Sequence, residues 1–570
     1  MRHETKSKLI RFALIGAAGV AALMLSACGE DPNAPDLVIY NGKIVTVDGK
    51  FSVAQAAAVK DGKFTLVGDD KTVLDSADSK TVKVDLKGQT VLPGFNDSHV
   101  HQMSQGATLS RNVDLTNIHS ITDIQNAIAA RVKVSKPGEW IAGTRGWWEY
   151  ELAEDRIPTR YDLDKVSPNN PVTIPGPHYS VNNSLALKLA GITKDSKDPQ
   201  GGEIRKDAGG EPTGILFDNA SRPVGRLVPR PTKEQIKEGV LKTIALNNSN
   251  GLTSIGEPSG DMDDMKLYKE LLAEGKLTTR VDFAFSVDPA LSTAEAEKQI
   301  IALGKPGSQN TTDGMIRADE LGELGLDGAE LTALLRNDFP TRPGYKGMFK
   351  VTQPVFNEFA LVAAKHGWRL RPHAVGDGAI DEAITAFEYA NKTYPVADKR
   401  WMIDHAFLLV PDFFPRVKAL GLIINSQYMH NAQLGKLILD AWARPLADSS
   451  ETFKDWVDAG IMFANGSDGP ISYHAIPIYQ IYGAVTRNTL WGGKLGPNQG
   501  ITREQAIRSV TSNSAYTSFE EKVKGSIEPG KYADFVILSG DILTVPEDGI
   551  KDLKVLTTVL GGKAIYGELK

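Results

Sequence analysis

The chain has 570 residues, of which 41% are hydrophobic, and a formal net charge of −6. This length suits a large core and about two to four domains. The weak acidity, without a lysine- or arginine-rich block beyond the N-terminal segment, argues against a nucleic-acid-binding protein, and the single cysteine excludes both an intramolecular disulfide and a cysteine-based zinc site.

Residues 1–28 have the pattern of a bacterial lipoprotein signal peptide. Basic residues precede an apolar run over 12–25, and Leu25-Ser26-Ala27-Cys28 follows. Small residues before a lone cysteine are similar to a lipobox, so we expect a lipid on Cys28. An ordinary secretory signal, or an uncleaved anchor, is the alternative. With 29–35 as a flexible tether, the sequence predicts a protein anchored to a membrane of the bacterial cell envelope, on a periplasmic or other extracytoplasmic face.

Short β patterns occupy both ends of the mature chain. Asn41-Gly42 and Asp61-Gly62 separate β-branched runs within 36–90, and Gly561-Gly562 does the same within 521–570. Two β-rich ends around a long middle predict one small β domain built from both termini. Two separate β modules are the alternative.

The middle of the chain, about 91–520, alternates short apolar strands with amphipathic helical stretches. Strands are expected at 369–373, 401–405, 422–426 and 460–468, and a helix at 354–367. Repeated βα units of this number and span predict an α/β fold, a (β/α)8 TIM barrel, rather than an open sheet.

An insertion is expected at about 150–230, between early barrel elements. It is rich in glycine and proline and follows Trp147-Trp148-Glu149-Tyr150. We expect it to form a lid that closes over a substrate. The alternative is a packing insertion without contact to the substrate.

Two histidines follow the apolar run Thr90-Val91-Leu92. In a strand, His99 and His101 would point the same way and could form half of a metal site. The ordinary alternative is one buried, hydrogen-bonded histidine beside an exposed one.

Three further candidate ligands end later predicted strands: His373, His405 and Asp468. The carboxyl ends of barrel strands converge on one mouth. Neutral imidazole and carboxylate are the ligands that hold zinc-like metals while leaving a position for water. Each residue alone could be a hydrogen-bonded core or turn residue, so the recurrence of one placement is what predicts a metal site.

At these positions the chain resembles the amidohydrolase superfamily, and most of all its YtcJ-like branch of metal-dependent hydrolases. The matching segments cover 92–101, His178 with 183–187, 201–204, 212–214, 372–380, 403–406, 466–470 and 525–534. The resemblance spans nearly the whole mature chain. It implies a metal-bearing barrel, a β-sandwich made from both termini, and a divalent metal, zinc, as one or two ions.

The resemblance also implies which residues hold the metals. One ion would be held by His99, His101 and Asp468. A second ion would be held by His373 and His405.

The bridging position departs from the pattern of many relatives, which place a lysine a few residues before an Asp-Gly pair. Here Glu323 falls at that place, before Asp327-Gly328. A glutamate carboxylate could bridge two metals as a carboxylated lysine does. The alternative is a surface glutamate in an acidic stretch with Asp319 and Glu320.

The expected reaction is hydrolysis of a carbon–nitrogen bond other than a peptide bond in a small molecule, by metal-activated hydroxide. Asp468 would take the proton from the water and pass it to the leaving nitrogen. A metal, or His178 as a donor, would stabilise the oxyanion, although His178 could equally be a hydrogen-bonded loop residue. Glu257 could face the same mouth.

Three other functions remain open from the sequence. The same hydroxide would attack an ester, a lactone or a cyclic amide. A non-catalytic lipoprotein that binds a metal or a solute would keep the ligands without turnover, and a structural envelope lipoprotein would need neither metal nor pocket. The oligomeric state is not predicted.

Overall fold

The computed structural model describes residues 32–116, 118–176, 178–469 and 476–570. The signal-like segment, Cys28 and residues 29–31 of the expected tether lie outside the described residues. In the described part of the chain, none of the helices is long and apolar enough to cross a membrane.

Two sheets from both chain ends pack against each other as a β-sandwich. Numbered along the chain, the four-stranded sheet contains β1 (Leu37–Tyr40), β4 (Ala56–Lys60), β5 (Lys63–Gly68) and β6 (Val82–Asp85). The six-stranded sheet contains β2 (Lys43–Val45), β3 (Val53–Ala54), β7 (Thr90–Pro93), β21 (Phe535–Leu538), β22 (Val555–Leu560) and β23 (Lys563–Tyr566). Ile39, Val91 and Phe535 belong to one shared core. The predicted sandwich of both termini is confirmed.

A separate five-stranded sheet forms most of the insertion. Its strands are β9 (Ile141–Ala142), β10 (Val172–Gly176), β11 (Tyr179–Asn182), β12 (Gly202–Lys206) and β13 (Pro212–Asp218). The sheet has its own apolar core, which already includes Val113 and Leu115. The sequence predicted that the insertion begins at about residue 150. The inserted unit begins earlier, because its first strand and the segment after residue 112 pack together.

Eight parallel strands form the central sheet, which is nearly closed into a barrel. They are β8 (Phe95–Asp97), β14 (Leu252–Gly260), β15 (Arg280–Phe285), β16 (Ile316–Gly325), β17 (Arg369–Ala374), β18 (Met402–His405), β19 (Ile423–Ser426) and β20 (Phe463–Asn465). Neighbours in this order are hydrogen-bonded in parallel, with β8 and β20 at the two ends. The predicted (β/α)8 class is confirmed.

Helices cover the barrel and connect its strands, so the strands are buried on both faces. The α-helices are α1 (Asp70–Leu74), α2 (Gln102–Leu109), α3 (Ile121–Val132), α4 (Arg160–Asp164), α5 (Ser184–Leu189), α6 (Arg222–Gly225), α7 (Lys233–Ser249), α8 (Met262–Ala273), α9 (Thr293–Ala302), α10 (Gln353–Lys365), α11 (Asp377–Asn391), α12 (Phe414–Ala419), α13 (Tyr428–Trp442), α14 (Phe453–Ala459), α15 (Pro477–Thr486), α16 (Arg503–Ser509) and α17 (Ser512–Thr517).

The strand before the two histidines differs from the sequence-based expectation. The run Thr90-Val91-Leu92 lies in β7, which pairs with β2 and β21 of the sandwich rather than with a barrel strand. The expected domain boundary at residue 91 thus falls inside β7. Phe95–Asp97 is the first barrel strand, and His99 and His101 lie in the loop after it, where strand alternation does not apply.

Candidate metal centre and active site

The candidate ligands come from five different barrel strands or the loops that follow them. Glu323 lies in β16, His373 in β17 and His405 at the end of β18. Asp468 lies three residues beyond the end of β20, because β20 is shorter than the predicted strand. All of these ends point to one mouth, as expected for a (β/α)8 barrel.

The loops after the first and last barrel strands are hydrogen-bonded to each other at this mouth. The backbone N–H of Asp468 donates to the carbonyl of His99 over 2.8 Å, and that of His101 donates to Gly469 over 3.0 Å. The N–H of Ser467 donates to the Asp97 carboxylate over 2.9 Å. These contacts hold the His99–His101 segment beside Asp468.

The Glu323 carboxylate lies between two pairs of imidazoles. Its Oε1 atom is 2.8 Å from His373 Nδ1 and 2.8 Å from His405 Nε2. Its Oε2 atom is 3.3 Å from His101 Nε2 and 3.8 Å from His99 Nε2. Each oxygen therefore faces one pair, which is the placement that a carboxylate bridging two cations needs. The side chain is 15% exposed, so it is not the surface glutamate of the alternative interpretation.

Asp468 lies beside the pair formed by His99 and His101. Its Oδ1 atom is 3.1 Å from His101 Nε2 and 3.4 Å from His99 Nε2. Its Oδ2 atom is 3.1 Å from Nε2 of His430, a residue that the sequence analysis did not select. Asp468 is thus shared between two candidate metal-binding imidazoles and that of His430.

The residues fit a metal by donor chemistry and by an unsatisfied atom. Nε2 of the fully buried His99 has no hydrogen-bond partner among the described residues, although the ring faces two carboxylates. Among the residues of this site, ligand atoms lie within 4.8 Å of one another in two groups. These groups are His99 with His101 and Asp468, and His99 with Glu323 and His405. Imidazole and carboxylate without thiolate suit zinc and similar divalent ions.

The charges of this cluster shift its pKa values strongly. Burial lowers the pKa of His99, but the carboxylates of Asp404 and Glu323 outweigh it and raise the value to about 10. Burial likewise opposes protonation of His101, and hydrogen bonds to Asp468 and Glu323 raise its pKa to about 9. For Glu323 and Asp468, burial works to raise the pKa, yet the surrounding imidazoles hold it well below the usual range. Both carboxylates are therefore ionised and ready to bind a cation.

Outer residues fix the orientation of two imidazoles. Nδ1 of His405 is 2.6 Å from Gln427 Oε1, and Gln427 Nε2 donates to the carbonyl of Asn425 over 2.9 Å. Nδ1 of His99 is 3.4 Å from Asp404 Oδ1, and Asp404 accepts a hydrogen bond from Arg371 Nε over 3.0 Å. Such contacts leave Nε2 of each ring directed at the cluster, as is usual for metal-binding histidines.

Three residues of the site have a left-handed backbone. The φ angles of His405, Asp468 and His178 are 71°, 55° and 51°. This conformation is costly for residues other than glycine and is concentrated at functional sites. All three residues line the same cavity, so the strained backbone positions lie at the candidate active site.

His178 reaches the cavity from the insertion, at the turn between β10 and β11. Its Nδ1 atom is 2.8 Å from Asp218 Oδ1, and Asp218 also pairs with Lys350 at 3.0 Å. Although burial opposes it, the contacts with His178 and Lys350 lower the pKa of Asp218, so Asp218 is an acceptor and Nδ1 of His178 carries the hydrogen.

This hydrogen bond changes the chemistry expected of His178. Burial lowers the pKa of its ring, which is therefore neutral at pH 7. Because the single ring hydrogen is on Nδ1, Nε2 of neutral His178 accepts a hydrogen bond and cannot donate one. Donation to an oxyanion, the role inferred from the sequence, would require the doubly protonated ring.

The cavity over the candidate metal centre contains residues that sequence reasoning missed. His430 lies in α13 and stacks on His405, with ring centroids 5.6 Å apart. Glu330 is 2% exposed and lies in the cavity wall, where burial raises its pKa. His430 comes four residues after β19, so its position after a barrel strand was the available signal. Glu330 carries no spacing signal.

The aromatic segment before the insertion also lines this cavity. Trp147 and Trp148 are in its wall. Nε1 of buried Trp147 has no hydrogen-bond partner among the described residues. Glu257, in contrast, is not in the wall of the cavity. It lies beneath α2, where it accepts hydrogen bonds from the N–H of Met103 and from the hydroxyl of Tyr268, each over 2.8 Å.

Comparison with known proteins agrees with this architecture. The model of the Amidohydrolase family matches residues 83–566. N-substituted formamide deformylase of Arthrobacter pascens is 27% identical over 550 residues, which cover 93% of this chain and 98% of the relative. The amidohydrolase YtcJ of Bacillus subtilis (strain 168) is 28% identical over 540 residues, 92% of this chain and 98% of the relative.

A solved structure gives the same result. The crystal structure of an uncharacterized metal-dependent hydrolase from Pyrococcus horikoshii OT3 superimposes with a TM-score of 0.70 at 26% identity. The superposition covers 90% of this chain and 99% of the other. The chain belongs to the amidohydrolase family, and it is a metal-dependent hydrolase of carbon–nitrogen bonds.

Proposed function

We propose that this enzyme hydrolyses the amide-type carbon–nitrogen bond of a small molecule, such as an N-acyl or N-formyl compound, rather than a peptide bond. The two-sided position of Glu323 carries the proposal, because each carboxylate oxygen faces a separate pair of imidazoles. The similarity over nearly the full length to an N-substituted formamide deformylase supports N-formyl compounds as the first substrates to test.

The proposed metal is zinc, as two ions. One ion would be held by His99, His101, Glu323 and Asp468, and the other by His373, His405 and Glu323. When bound, such a metal supplies Lewis acidity, which lowers the pKa of water towards about 7 and polarises a carbonyl. The absence of cysteine beyond residue 28 leaves only imidazole and carboxylate as ligands, which suits this metal.

Asp468 is the proposed proton carrier. Its ionised carboxylate accepts the proton of the attacking water and passes it to the leaving nitrogen, which must be protonated to depart as an amine. The contact of Oδ2 with His430 Nε2 keeps the carboxylate from rotating away from His101.

His178 and the aromatic wall are proposed to position the substrate. Nε2 of neutral His178 accepts a hydrogen bond, for example from an amide N–H, while Asp218 fixes the ring through Nδ1. Trp148 and Leu434 provide apolar surface beside the site and exclude water from it. The inserted sheet that carries His178 is thereby proposed to form one wall of the substrate pocket.

A combined metal and substrate experiment tests this function. The purified protein should contain about two zinc ions, one for each of the two proposed ligand sets, and should release amine from N-formyl or N-acyl compounds. His373→Ala with His405→Ala should remove one ion and abolish turnover. Metal-loaded protein that hydrolyses esters or lactones but no amide would contradict the proposed bond specificity, and protein that retains no metal would contradict the proposed centre.

A further inference from the structure

A second cavity, of about 240 Å³, adjoins the cavity over the candidate metal centre. The two cavities share Arg145 and Pro175 in their walls. They meet beside the metal ligands, because His101 lines the second cavity and Asp468 lines the first, with 3.1 Å between the side chains. A small substrate whose scissile bond lies at the centre can therefore extend into both.

Polar side chains form part of the wall of the second cavity, which has no acidic side chain among the described residues. Hydroxyl and amide groups come from Ser104, Gln105, Thr108 and Asn112. Asn112 uses one amide hydrogen on the carbonyl of Gly143 and keeps a second one. The wall thus offers hydrogen-bond donors and no carboxylate that would repel an anion.

Arg145 supplies a positive charge to the same wall. Its side chain forms no ion pair and no hydrogen bond with any residue that the structure describes. Lys350, another cation near the site, is by contrast paired with Asp218. Burial is the main cause of the lowered pKa of His178, and the positive charge of Arg145 lowers that pKa further. The electric field of Arg145 therefore reaches the active site.

We propose that Arg145 binds a carboxylate of the substrate, and that the substrate is an N-acyl amino acid or a related amide with a carboxylate close to the scissile bond. The planar guanidinium fork matches a carboxylate with two parallel hydrogen bonds. The hydroxyl of Ser104 and the second amide hydrogen of Asn112 are further donors in the same wall. The uncharged part of the substrate lies against Trp148 and Leu434 in the first cavity. The position of the scissile bond rests on the proposed function, whereas binding of the carboxylate does not require turnover.

Binding of two compounds that contain no carboxamide bond for the enzyme to hydrolyse tests this proposal. Benzenesulfonylglycine and N-(2-hydroxyethyl)benzenesulfonamide, in which a hydroxymethyl group replaces the carboxylate, have nearly the same size and differ by one negative charge. The zinc-loaded full chain should bind the acid about 10- to 100-fold more tightly than the alcohol, as expected for charge-assisted hydrogen bonds, and less so at high salt. Arg145→Met should remove this preference while the affinity for the neutral alcohol stays unchanged, and Arg145→Lys should retain part of it.

Arg226→Met is the matched control, because Arg226 is exposed and lines neither cavity. It should bind both compounds as the unaltered protein does. Equal affinity for acid and alcohol would overturn the proposal. An undiminished preference in Arg145→Met would also overturn it, because the carboxylate would then bind the metal itself. Failure of the proposed function would be seen in a different measurement. In that case the zinc-loaded protein would hydrolyse no amide, whatever its binding preference.

Discussion

At the scale of single residues, Glu323 has the central position in the site. Its two oxygens contact four imidazoles, and the same contacts hold its pKa well below the usual range despite burial. N–H groups of the rings stabilise this carboxylate, and a bound cation would replace their hydrogens. The cluster therefore couples metal binding to proton release.

We expect metal binding to release protons. In the metal-free protein at pH 7, His99 and His101 are protonated because their pKa values are about 10 and about 9. A metal binds only the neutral rings, so binding must displace these protons, and affinity should rise with pH up to about pH 10. Calorimetric zinc titrations in buffers of different ionisation enthalpy should give about two protons released at pH 7. An affinity that is constant between pH 6 and pH 8 would contradict this coupling.

Asp468→Asn should separate proton transfer from metal binding. The amide keeps the shape of the side chain but cannot accept the proton of water, so turnover should fall by about 10²- to 10⁴-fold. Zinc content, measured by mass spectrometry, should stay close to that of the unaltered protein because the imidazoles and Glu323 remain. Asp398→Asn, at an exposed position, is the control. Near-normal turnover of Asp468→Asn would show that another group carries the proton.

At the scale of elements, the barrel mouth depends on how α2 and α7 cross. His101 immediately precedes α2, and Gly106 of α2 lies against Gly239 of α7. A Cβ added at Gly239 would be 1.7 Å from the carbonyl oxygen of Gly106. The two glycines therefore allow a close helix crossing that places the N-terminal end of α2, and with it His101, at the metal centre.

Gly239→Ala should destabilise the protein. Alanine is favoured over glycine in a helix by about 1 kcal/mol, but the clash with backbone atoms forces a shift that costs about 1–3 kcal/mol or more. Thermal unfolding should therefore show a lower midpoint than for the unaltered protein, and zinc affinity should fall with it. Gly225→Ala in α6 is the matched control, since an added Cβ there meets no atom within 4 Å. Equal midpoints for the two variants would contradict the close-crossing argument.

At the scale of the whole molecule, the two chain ends build one domain. Strand β7 lies between β2 and β21, so the N- and C-terminal parts share a single sheet. Strand β8 follows β7 after one residue, which ties the sandwich directly to the first barrel strand. We propose that the protein is attached to a membrane of the bacterial cell envelope through a lipid on Cys28, ahead of this domain.

Cys28→Ser tests the anchor. Because Cys28 is the single cysteine of the chain, a thioether-linked lipid can be attached nowhere else. In a bacterial host, the unaltered protein should sediment with membranes and incorporate labelled fatty acid, whereas the variant should incorporate none. Zinc content and amide hydrolysis should be equal in both. Labelling of the variant, or no labelling of either protein, would contradict the proposal.

The sequence alone was enough to predict the fold class and most of the cluster. Strand-ending histidines can be recognised in one dimension because barrel strands bring their carboxyl ends to one mouth, and His373 and His405 follow that rule. The Asp61-Gly62 and Gly561-Gly562 turns identified the β4–β5 and β22–β23 hairpins for a similar local reason. Asn41-Gly42 does not close a hairpin, because it connects β1 to β2, which lie in different sheets.

Only the tertiary structure decided the contacts that join distant elements. Because β7 pairs with β21, the run Thr90-Val91-Leu92 before His99 belongs to the sandwich and not to the barrel. No local sequence pattern contains that information. Glu330 and Arg145 face the cavities from outside the barrel strands, so no strand spacing identifies them. The hydrogen bond to Asp218 decided which nitrogen of His178 holds its hydrogen. Local residue order predicts the elements, but side-chain chemistry depends on neighbours that are remote in the chain.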